Sequence, residues 1–197
     1  MPAYTVTRIQ STPDWAQIPS VAMVDTGWCS PCPVAAKAQL CHDDKNLYVR
    51  LEAEESDIRA TLSGPLDPVC TDSCLEFFFA PMPQDSRYFN FEYNPLGTIY
   101  LGFGAERTTR ARQIVSQPDL FHARPFLTEK GWGITYVIPA SFISLYIPDF
   151  SFTGTAAGNF YKCGDKTSVP HYLAWSPLHC DTPDYHRRED FGTLIFE

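Results

Sequence analysis

Positive charge is scarce in this sequence: 15 Lys and Arg stand against 23 Asp and Glu, which gives a formal net charge of −8. A surface of that sign repels phosphate backbones, so nucleic acid is not an expected partner. We interpret the local group of Arg107, Arg110 and Arg112 as a solvated strand or loop edge. No apolar run approaches the length that spans a bilayer, so no membrane partner is expected either.

An apolar leader is also missing, because the opening Met-Pro-Ala-Tyr-Thr-Val-Thr-Arg contains no hydrophobic signal-peptide core. The chain as written is therefore expected to be cytoplasmic, whereas a leader removed beforehand would place it in the periplasm or outside the cell. The 7 cysteines are an odd number, which forbids complete pairing within the chain and favours a reducing compartment.

Complete zinc-binding motifs are absent as well. Cys29 and Cys32 have C-x-x-C spacing, but no second C-x-x-C or matching pair of histidines accompanies them. Cys41 and His42 follow nearby, yet a site built from these four residues would require an awkward meeting of strand and turn. We interpret the cysteines as ordinary buried or partly exposed thiols and predict no metal ligand among them.

Common enzyme signatures are missing too: there is no G-x-S-x-G elbow, phosphate-cradling glycine loop or H-E-x-x-H helix. Two carboxylates in one strand, Asp72 and Glu76, would lie about 13 Å apart. Glycosidase pairs lie about 5 to 9.5 Å apart, which disfavours this pair. A cross-strand pair of Glu76 and Glu92 could be close enough, so a glycoside-active enzyme using them, with His186 nearby, stays an alternative.

Aromatic rings and prolines, in contrast, are abundant: the chain has 14 Phe, 10 Tyr, 4 Trp and 17 Pro. Period-two alternation recurs along most of its length, and long amphipathic helix patterns are hard to find. We predict one all-β domain over residues 1–197. Its expected architecture is a two-sheet antiparallel β-sandwich, jelly-roll or immunoglobulin-like, with roughly eight to ten strands and at most one or two short helices.

Several elements can be located in advance. Residues 34–41 and 47–54 flank a polar turn and are predicted to form a β-hairpin. Residues 88–94 alternate between aromatic and polar, which puts the polar side chains on a separate face of that strand. A strand over 131–138 ends at a proline, and residues 140–145 are the best candidate for a short helix.

The order of the sequence motifs resembles the family 9 carbohydrate-binding module, in particular its stand-alone family 9-like domains, which are DOMON-like β-sandwiches. The resemblance covers nearly the whole chain. It rests on the hairpin, D-S-C-x-E-F-F-x at 72–79, Y-F-N-F-E-Y-N at 88–94, W-x-x-x-x-x-I-P at 132–139, G-N-F-Y at 158–161, and a tail with W-S-P, H-R and D-F-G.

The resemblance implies non-catalytic binding of an oligosaccharide or polysaccharide chain end between two aromatic walls. One wall maps to Trp175, while Val69 or Cys70 occupies the place of the second. The acid that bonds sugar hydroxyls maps to Glu76. No cofactor is required, although some members hold structural calcium. A ring between two aromatic faces is shielded from water on both sides, so one wall alone predicts weaker binding or a different ligand.

Further polar residues extend this predicted site. Glu92 and Asn94 share a face of the neighbouring strand, and Asn159, Tyr161 and Arg187 are additional candidates for hydrogen bonds to a sugar. The sequence leaves alternatives open: Trp175 as a core aromatic, Trp28 as a replacement wall, or a DOMON-like module that binds heme or another small ligand. The sugar, its linkage and the oligomeric state are not specified by the sequence.

Overall fold

The computed structural model describes residues 1–29, 32–117 and 119–197. Thirteen strands and one α-helix occur within these ranges. The strands are Ala3–Arg8 (β1), Val21–Ala22 (β2), Ala35–His42 (β3), Asn46–Glu54 (β4), Cys74–Ala80 (β5), Tyr88–Tyr93 (β6), Ile99–Gly104 (β7), Ala111–Gln113 (β8), Arg124–Thr128 (β9), Gly131–Pro139 (β10), Gly154–Cys163 (β11), Tyr172–Ala174 (β12) and Gly192–Phe196 (β13). The helix α1 spans Ala140–Ile143, and short 3₁₀ turns occupy Val69–Thr71 and Arg188–Asp190.

The strands form two layers that share β1. One layer has the order β8-β7-β6-β5-β11-β13-β1, and the other has the order β1-β3-β4-β10-β9. β12 adds to β11, and β2 adds to β3. The first part of β1 pairs in parallel with β13 and its last residues pair in parallel with β3, whereas the other pairings are antiparallel. The predicted two-sheet sandwich is confirmed, and the parallel pairing of β1 is a feature that strand alternation could not reveal.

The main core lies between the two layers and consists of alternate residues of the strands. On β10 these are Trp132, Ile134, Tyr136 and Ile138, each at most 1% exposed. Rings from the facing layer pack among them, as in the contact between Phe91 and Tyr136 at 6.1 Å between centroids. Full burial of such side chains contributes about 1.5–3 kcal/mol each, so alternation and the hydrophobic effect together fix which face turns inward.

A second, smaller core covers the outer face of β5 and β11. Residues 176–191 run across that face, and Phe191 packs against Phe78 and Tyr88 at 6.3 and 5.2 Å between ring centroids. All residues of β5 are therefore buried, on both faces of the strand. This covering segment creates the recess in which the functional candidates lie.

The predicted elements agree with most of the structure. The hairpin corresponds to β3 and β4, the strand over 88–94 to β6, and the helix candidate to α1 followed by a turn. β1 and the exposed edge strands β8 and β9 were not predicted. β8 and β9 are short and exposed along most of their length, so they carry little period-two signal. Within the described residues, no helix combines the length and the apolarity needed to cross a membrane.

Candidate functional site

A cleft of about 230 Å³ opens on the outer face of the layer that contains β5 and β6. Its floor comes from strand side chains and its sides from the loops before β5, after β7 and after β12. Carboxylates, aromatic rings and one arginine converge there. The lining consists of Cys70, Glu76, Phe78, Glu92, Arg107, Cys163, Asp165, Tyr172, Pro183, Asp184, Tyr185 and His186.

Two glutamates form the polar floor. Glu76 on β5 and Glu92 on β6 are directly paired across the strands, so their side chains leave the same face as neighbours. They are only 2% and 6% exposed. Glu76 accepts a hydrogen bond from the Cys163 thiol at 2.9 Å, and Glu92 accepts one from the Asn90 amide at 2.6 Å. The cross-strand proximity expected of this pair is thus confirmed.

Burial changes the acidity of both glutamates. Desolvation, followed by the negative charge of Glu92, raises the pKa of Glu76 well above its ordinary value. Desolvation also raises the pKa of Glu92, to about 7, against the opposing effect of its bond to Asn90. The floor can therefore present both a carboxyl donor and a carboxylate acceptor near neutral pH, which suits partners that carry hydroxyl groups.

One side of the cleft is aromatic. Tyr172 on β12 and Tyr185 in the covering segment meet at 6.5 Å between ring centroids. Trp28 contacts both rings at 6.1 Å, and its indole N–H donates to the Cys180 carbonyl at 3.1 Å. The Trp28 loop thus folds against the back of the site, where the indole supports two tyrosines that line the cleft and is not itself a lining residue.

His186 closes the end of the cleft next to Phe78, at 5.0 Å between ring centroids. Its Nδ1 lies 2.5 Å from Arg110 Nη1 and 2.8 Å from the Tyr88 hydroxyl. A guanidinium can only donate, so Nδ1 is the acceptor and the ring hydrogen lies on Nε2. Burial and then the Arg110 charge lower the pKa of His186 to about 3, which keeps the imidazole neutral.

The arginine group was only partly predicted. Arg110 is 8% exposed and lies 4.4 Å over the Tyr88 ring, where it also donates to the Tyr88 and Gly104 carbonyls. The interpretation of the whole group as a solvated edge is therefore wrong for Arg110. Arg107 is exposed and stands at the rim of the cleft, 3.5 Å from Asp184.

Trp175 does not form a wall of this cleft. It is 5% exposed and packs in the main core against Phe160, at 5.5 Å between ring centroids. A Cβ added at Gly192 would lie 2.4 Å from the indole, so the ring is enclosed on that side as well. The prediction of a solvent-facing platform at Trp175 is contradicted, and the open alternative of a core aromatic describes its position.

Strand alternation explains this outcome. Tyr172 pairs with Cys163, and Cys163 pairs with Cys74, so the three side chains leave the face of the layer on which the cleft lies. Trp175 is three residues beyond Tyr172 and therefore turns to the opposite face. The register with β11 would have identified Tyr172, but a register between distant strands cannot be derived from one sequence.

Two predicted asparagines have structural roles. Asn94 donates from its amide to the Leu62 carbonyl and to Asp72, and its oxygen accepts from two backbone N–H groups of the turn after β6. Asn159 donates to the Ser176 carbonyl at 2.9 Å and accepts from the Ser176 and Phe160 N–H groups. Neither lines the cleft, which corrects their predicted contact with a ligand.

Tyr161 and Arg187 are also committed elsewhere. The Tyr161 ring stacks on Tyr185 at 4.0 Å, and its hydroxyl donates to the Tyr185 carbonyl. Arg187 pairs with Asp190 at 2.7 Å and with Glu189 at 2.8 Å. Both residues hold the covering segment, so their predicted contact with a ligand is corrected too, and Glu76 and Glu92 are the predicted site residues that the cleft brings together.

Cys70 has the position expected of a binding-site residue. It is one of the two residues, with Val69, that the family resemblance places at the second aromatic wall, and it lines the cleft together with Glu76. Tyr172, Tyr185 and Asp165 were missed by sequence reasoning, whereas His186 had been placed near the two glutamates. Their signal lies in long-range pairing and in the path of the covering segment, and neither is written in local alternation.

A larger groove of about 470 Å³ lies on the other layer, near the ends of β3, β4 and β10. Its lining contains alanines and charged side chains and lacks an aromatic ring. Four of its charged side chains are already paired, Lys37 with Glu52 at 3.1 Å and Lys130 with Glu54 at 3.5 Å. Size alone therefore does not make this groove the better binding candidate.

Metal-ligand groups concentrate at the floor of the cleft. Among the described residues, Cys74, Glu76 and Cys163 bring three ligand atoms within 4.8 Å of one another. Two sulfurs do not suit calcium, because calcium prefers six to eight oxygen ligands. This group therefore does not account for the structural calcium that the resemblance implies, and structural calcium stays a prediction. At the earlier candidate group, the residues between Cys29 and Cys32 lie outside the described ranges, and both ring nitrogens of His42 face backbone carbonyls.

The heme alternative depends on axial His or Met ligands. None of Met1, Met23 and Met82 is among the described residues that line the cleft, and Met23 is buried in the main core. The only lining histidine, within the part of the chain that the structure describes, is His186, whose Nδ1 is already occupied by Arg110. The cleft thus offers no ready iron-binding pair.

The model of a family described as carbohydrate-binding family 9 matches residues 9–196. A crystal structure from Bacteroides uniformis ATCC 8492, provisionally described as a carbohydrate-binding protein, is 29% identical with a TM-score of 0.87, over 100% of this chain and 99% of that chain. The search of curated proteins gave no match.

Two further solved structures share the fold. Both are a family 9 carbohydrate-binding module from Caldicellulosiruptor kristjanssonii, one in complex with cellotriose and one with glucose. Each is 13% identical with a TM-score of 0.68 and covers 99% of this chain, and the match spans 93% and 95% of the respective chains. At that identity the likeness concerns the fold alone.

Proposed function

Because the chain belongs to carbohydrate-binding family 9, a family of non-catalytic binding modules, we propose that its cleft binds a saccharide without transforming it. The observation that carries the proposal is the pair of buried carboxyl groups, Glu76 and Glu92, side by side beneath aromatic rings. Sugar rings combine hydroxyl groups at their edges with C–H groups on their faces, and this cleft offers partners for both.

The two glutamates suit neighbouring hydroxyl groups of one sugar. Each carboxyl group can take part in several hydrogen bonds, and paired strand positions hold the two groups about 5 Å apart at Cβ. Because both are desolvated, a bond lost from either leaves a buried polar group unpaired, which costs about 1–3 kcal/mol. The floor therefore favours ligands that carry adjacent hydroxyls.

Tyr172 is the residue we assign to contact with the sugar face. It is partly exposed, while Trp28 packs against its ring edge and holds it in place. Arg107, Asp165 and Asp184 stand at the rim, where they can bond hydroxyls farther from the floor. The enzyme alternative finds no support in the family, and Glu76 and Glu92 act in this proposal as hydrogen-bonding groups.

Isothermal titration with glucose, cellotriose and a panel of xylo- and other oligosaccharides tests the proposal. We expect at least one ligand to bind at up to millimolar concentration, with Kd raised tenfold or more in Glu92→Gln and in Tyr172→Ala. A tenfold change corresponds to about 1.4 kcal/mol. No heat from any saccharide, or wild-type affinity in Glu92→Gln, would overturn it.

Two control variants separate this cleft from other sites. Glu54→Gln alters a glutamate of the larger groove and should leave the affinity unchanged. Trp175→Phe should keep most of the affinity but lower the melting temperature, because the indole belongs to the core. Loss of saccharide binding in a folded Glu54→Gln variant would indicate that the saccharide binds in the larger groove instead of the cleft.

A further inference from the structure

The floor of the cleft contains two thiols as well as the glutamates. Cys74 on β5 and Cys163 on β11 are directly paired, and Glu76 is two residues along β5, so the three side chains leave the same face. Their ligand atoms lie within 4.8 Å of one another, and the Cys163 thiol is 2.9 Å from Glu76. The three residues are 0%, 1% and 2% exposed.

This arrangement suits a cation that prefers sulfur. Zinc takes thiolates at about 2.3 Å and carboxylates at about 2.0–2.2 Å, so two sulfurs in a tetrahedral site lie about 3.8 Å apart. Small side-chain rotations would bring the three ligand atoms from their present spacing to that geometry. Thiolates select zinc-like ions, whereas calcium and magnesium prefer oxygen alone.

Two positive groups near this position are paired with carboxylates of their own. At the rim of the cleft, Arg107 pairs with Asp184 at 3.5 Å. Lys162 lies on the opposite face of β11, where it pairs with Glu55 at 3.2 Å and contacts His171 at 2.7 Å. It is therefore committed to a separate buried network.

We propose that Cys74, Glu76 and Cys163 bind one thiophilic divalent cation, of which Zn²⁺ is the natural example, at the floor of the cleft. Glu76 and Cys163 line the cleft, so the cation would be reached from it. Binding releases the thiol protons to solvent and leaves the fourth ligand position to a water molecule. The cation site shares Glu76 with the proposed saccharide site. Its test is nevertheless separate, because cadmium binding is measured without any sugar, whereas saccharide binding is tested through Glu92 and Tyr172.

Cadmium titration of the full chain tests the site. The protein is first stripped with a chelator and kept reduced with a phosphine, and thiol alkylation with mass spectrometry must show Cys74 and Cys163 as free thiols. We expect a thiolate-to-metal charge-transfer absorption that saturates at one Cd²⁺ per chain, and Zn²⁺ should displace it. Absence of that absorption, or a Cys74–Cys163 pair that resists reduction, would overturn the proposal.

Variants locate the cation. Cys163→Ser should abolish the saturable absorption, whereas Cys180→Ser and Cys32→Ser should retain it. Glu76→Gln keeps both thiols and should preserve the absorption while weakening Cd²⁺ affinity tenfold or more. If circular dichroism shows that Cys163→Ser is unfolded, Glu76→Gln decides the matter: unchanged affinity contradicts the site. Loss of the absorption in folded Cys32→Ser would also contradict it.

Discussion

At the scale of single residues, His186 has the most unusual electrostatic position. Its imidazole accepts from Arg110 and lies against Phe78, so a proton on Nδ1 would put two positive charges in contact within a desolvated site. The neutral ring can instead pack against the outer face of β5 and β6, beside Phe78 and the Tyr88 hydroxyl. Its neutrality is thus a condition of the native packing.

Acid should therefore destabilise the fold through this residue. In the unfolded chain a histidine takes up a proton near pH 6.5, whereas the pKa of His186 is about 3 in the fold. The contribution of the neutral His186 to the free energy of unfolding is complete above about pH 6.5. It falls as the pH drops towards 3, by up to about 1.4 kcal/mol per pH unit. Urea unfolding from pH 7 to pH 4 should give a shallower loss in His186→Gln than in the wild type.

The matched control is His122→Asn, which alters an exposed histidine with a positive φ of 45° that asparagine tolerates. This variant should follow the wild-type dependence on pH. Equal slopes for the wild type and His186→Gln would show that the imidazole does not couple folding to protons.

Which site residues could be predicted from the sequence depended on how side chains alternate along a strand. Glu76 and Glu92 were found because a carboxylate inside an aromatic strand is costly and needs a reason. Trp175 was misassigned because a tryptophan next to a proline-rich loop can face either way, and only the pairing of β12 with β11 decides between them. The prediction for Asn159 was wrong for another reason. Its amide bonds Ser176, which lies 17 residues away, and a contact over that sequence distance leaves no local pattern.

At the scale of elements, the covering segment 176–191 is the least regular part that builds the site. It is anchored at its start by Asn159, which bonds both the N–H and the carbonyl of Ser176. Near its end, Asp190 accepts from the His179 N–H at 3.0 Å and from Arg187 at 2.7 Å. Side-chain bonds to backbone thus replace the ladder that a strand would have.

Asn159→Ala should loosen this segment. Two buried backbone groups of Ser176 lose their partner, and each unpaired group costs about 1–3 kcal/mol. We expect faster hydrogen exchange across residues 176–191 than in β10. Asn46→Ala, which alters a side chain bonded within the turn between β3 and β4, should leave that segment unchanged. Exchange that rises equally in the segment and in β10 would contradict the local role of Asn159.

The helix and hairpin were predictable at this scale because their signals are local: turn formers between two alternating runs, and a proline before a short apolar stretch. The covering segment was not, since its sequence resembles any polar loop. Its position depends on bonds to β11 and to the loop at Asp25, which accepts from the Leu178 N–H at 2.8 Å.

At the scale of the whole molecule, β1 connects the two layers. Its backbone pairs with β13 in one layer and with β3 in the other. Tyr4 strengthens the junction, because its hydroxyl accepts from the Leu40 N–H at 3.0 Å and donates to the Pro19 carbonyl at 2.6 Å. A strand shared in this way makes the layers unfold together.

Tyr4→Phe should therefore lower the free energy of unfolding by about 1–3 kcal/mol, because it leaves the Leu40 N–H and the Pro19 carbonyl without the hydroxyl. Near- and far-ultraviolet circular dichroism should still give coincident denaturation curves. Tyr146→Phe, at a partly buried ring beside Phe142, is the matched control and should cost less. Two separated transitions in the wild type would contradict the role of β1 as a junction.

The sandwich as a whole followed from composition and alternation, since an aromatic-rich chain with short period-two runs has few ways to bury its rings. The parallel insertion of β1 did not follow, because pairing between the two ends of a chain depends on every strand in between.

Because β5 is buried on both faces, replacing any of its side chains would disturb either the main core or the floor of the cleft. Diversification of ligand preference among descendants of this sequence would then fall on the rim, at positions such as Arg107, Asp165 and Asp184, where a new side chain meets solvent. The sandwich would keep the position of the cleft fixed, and the loops that border it would determine which ligand binds.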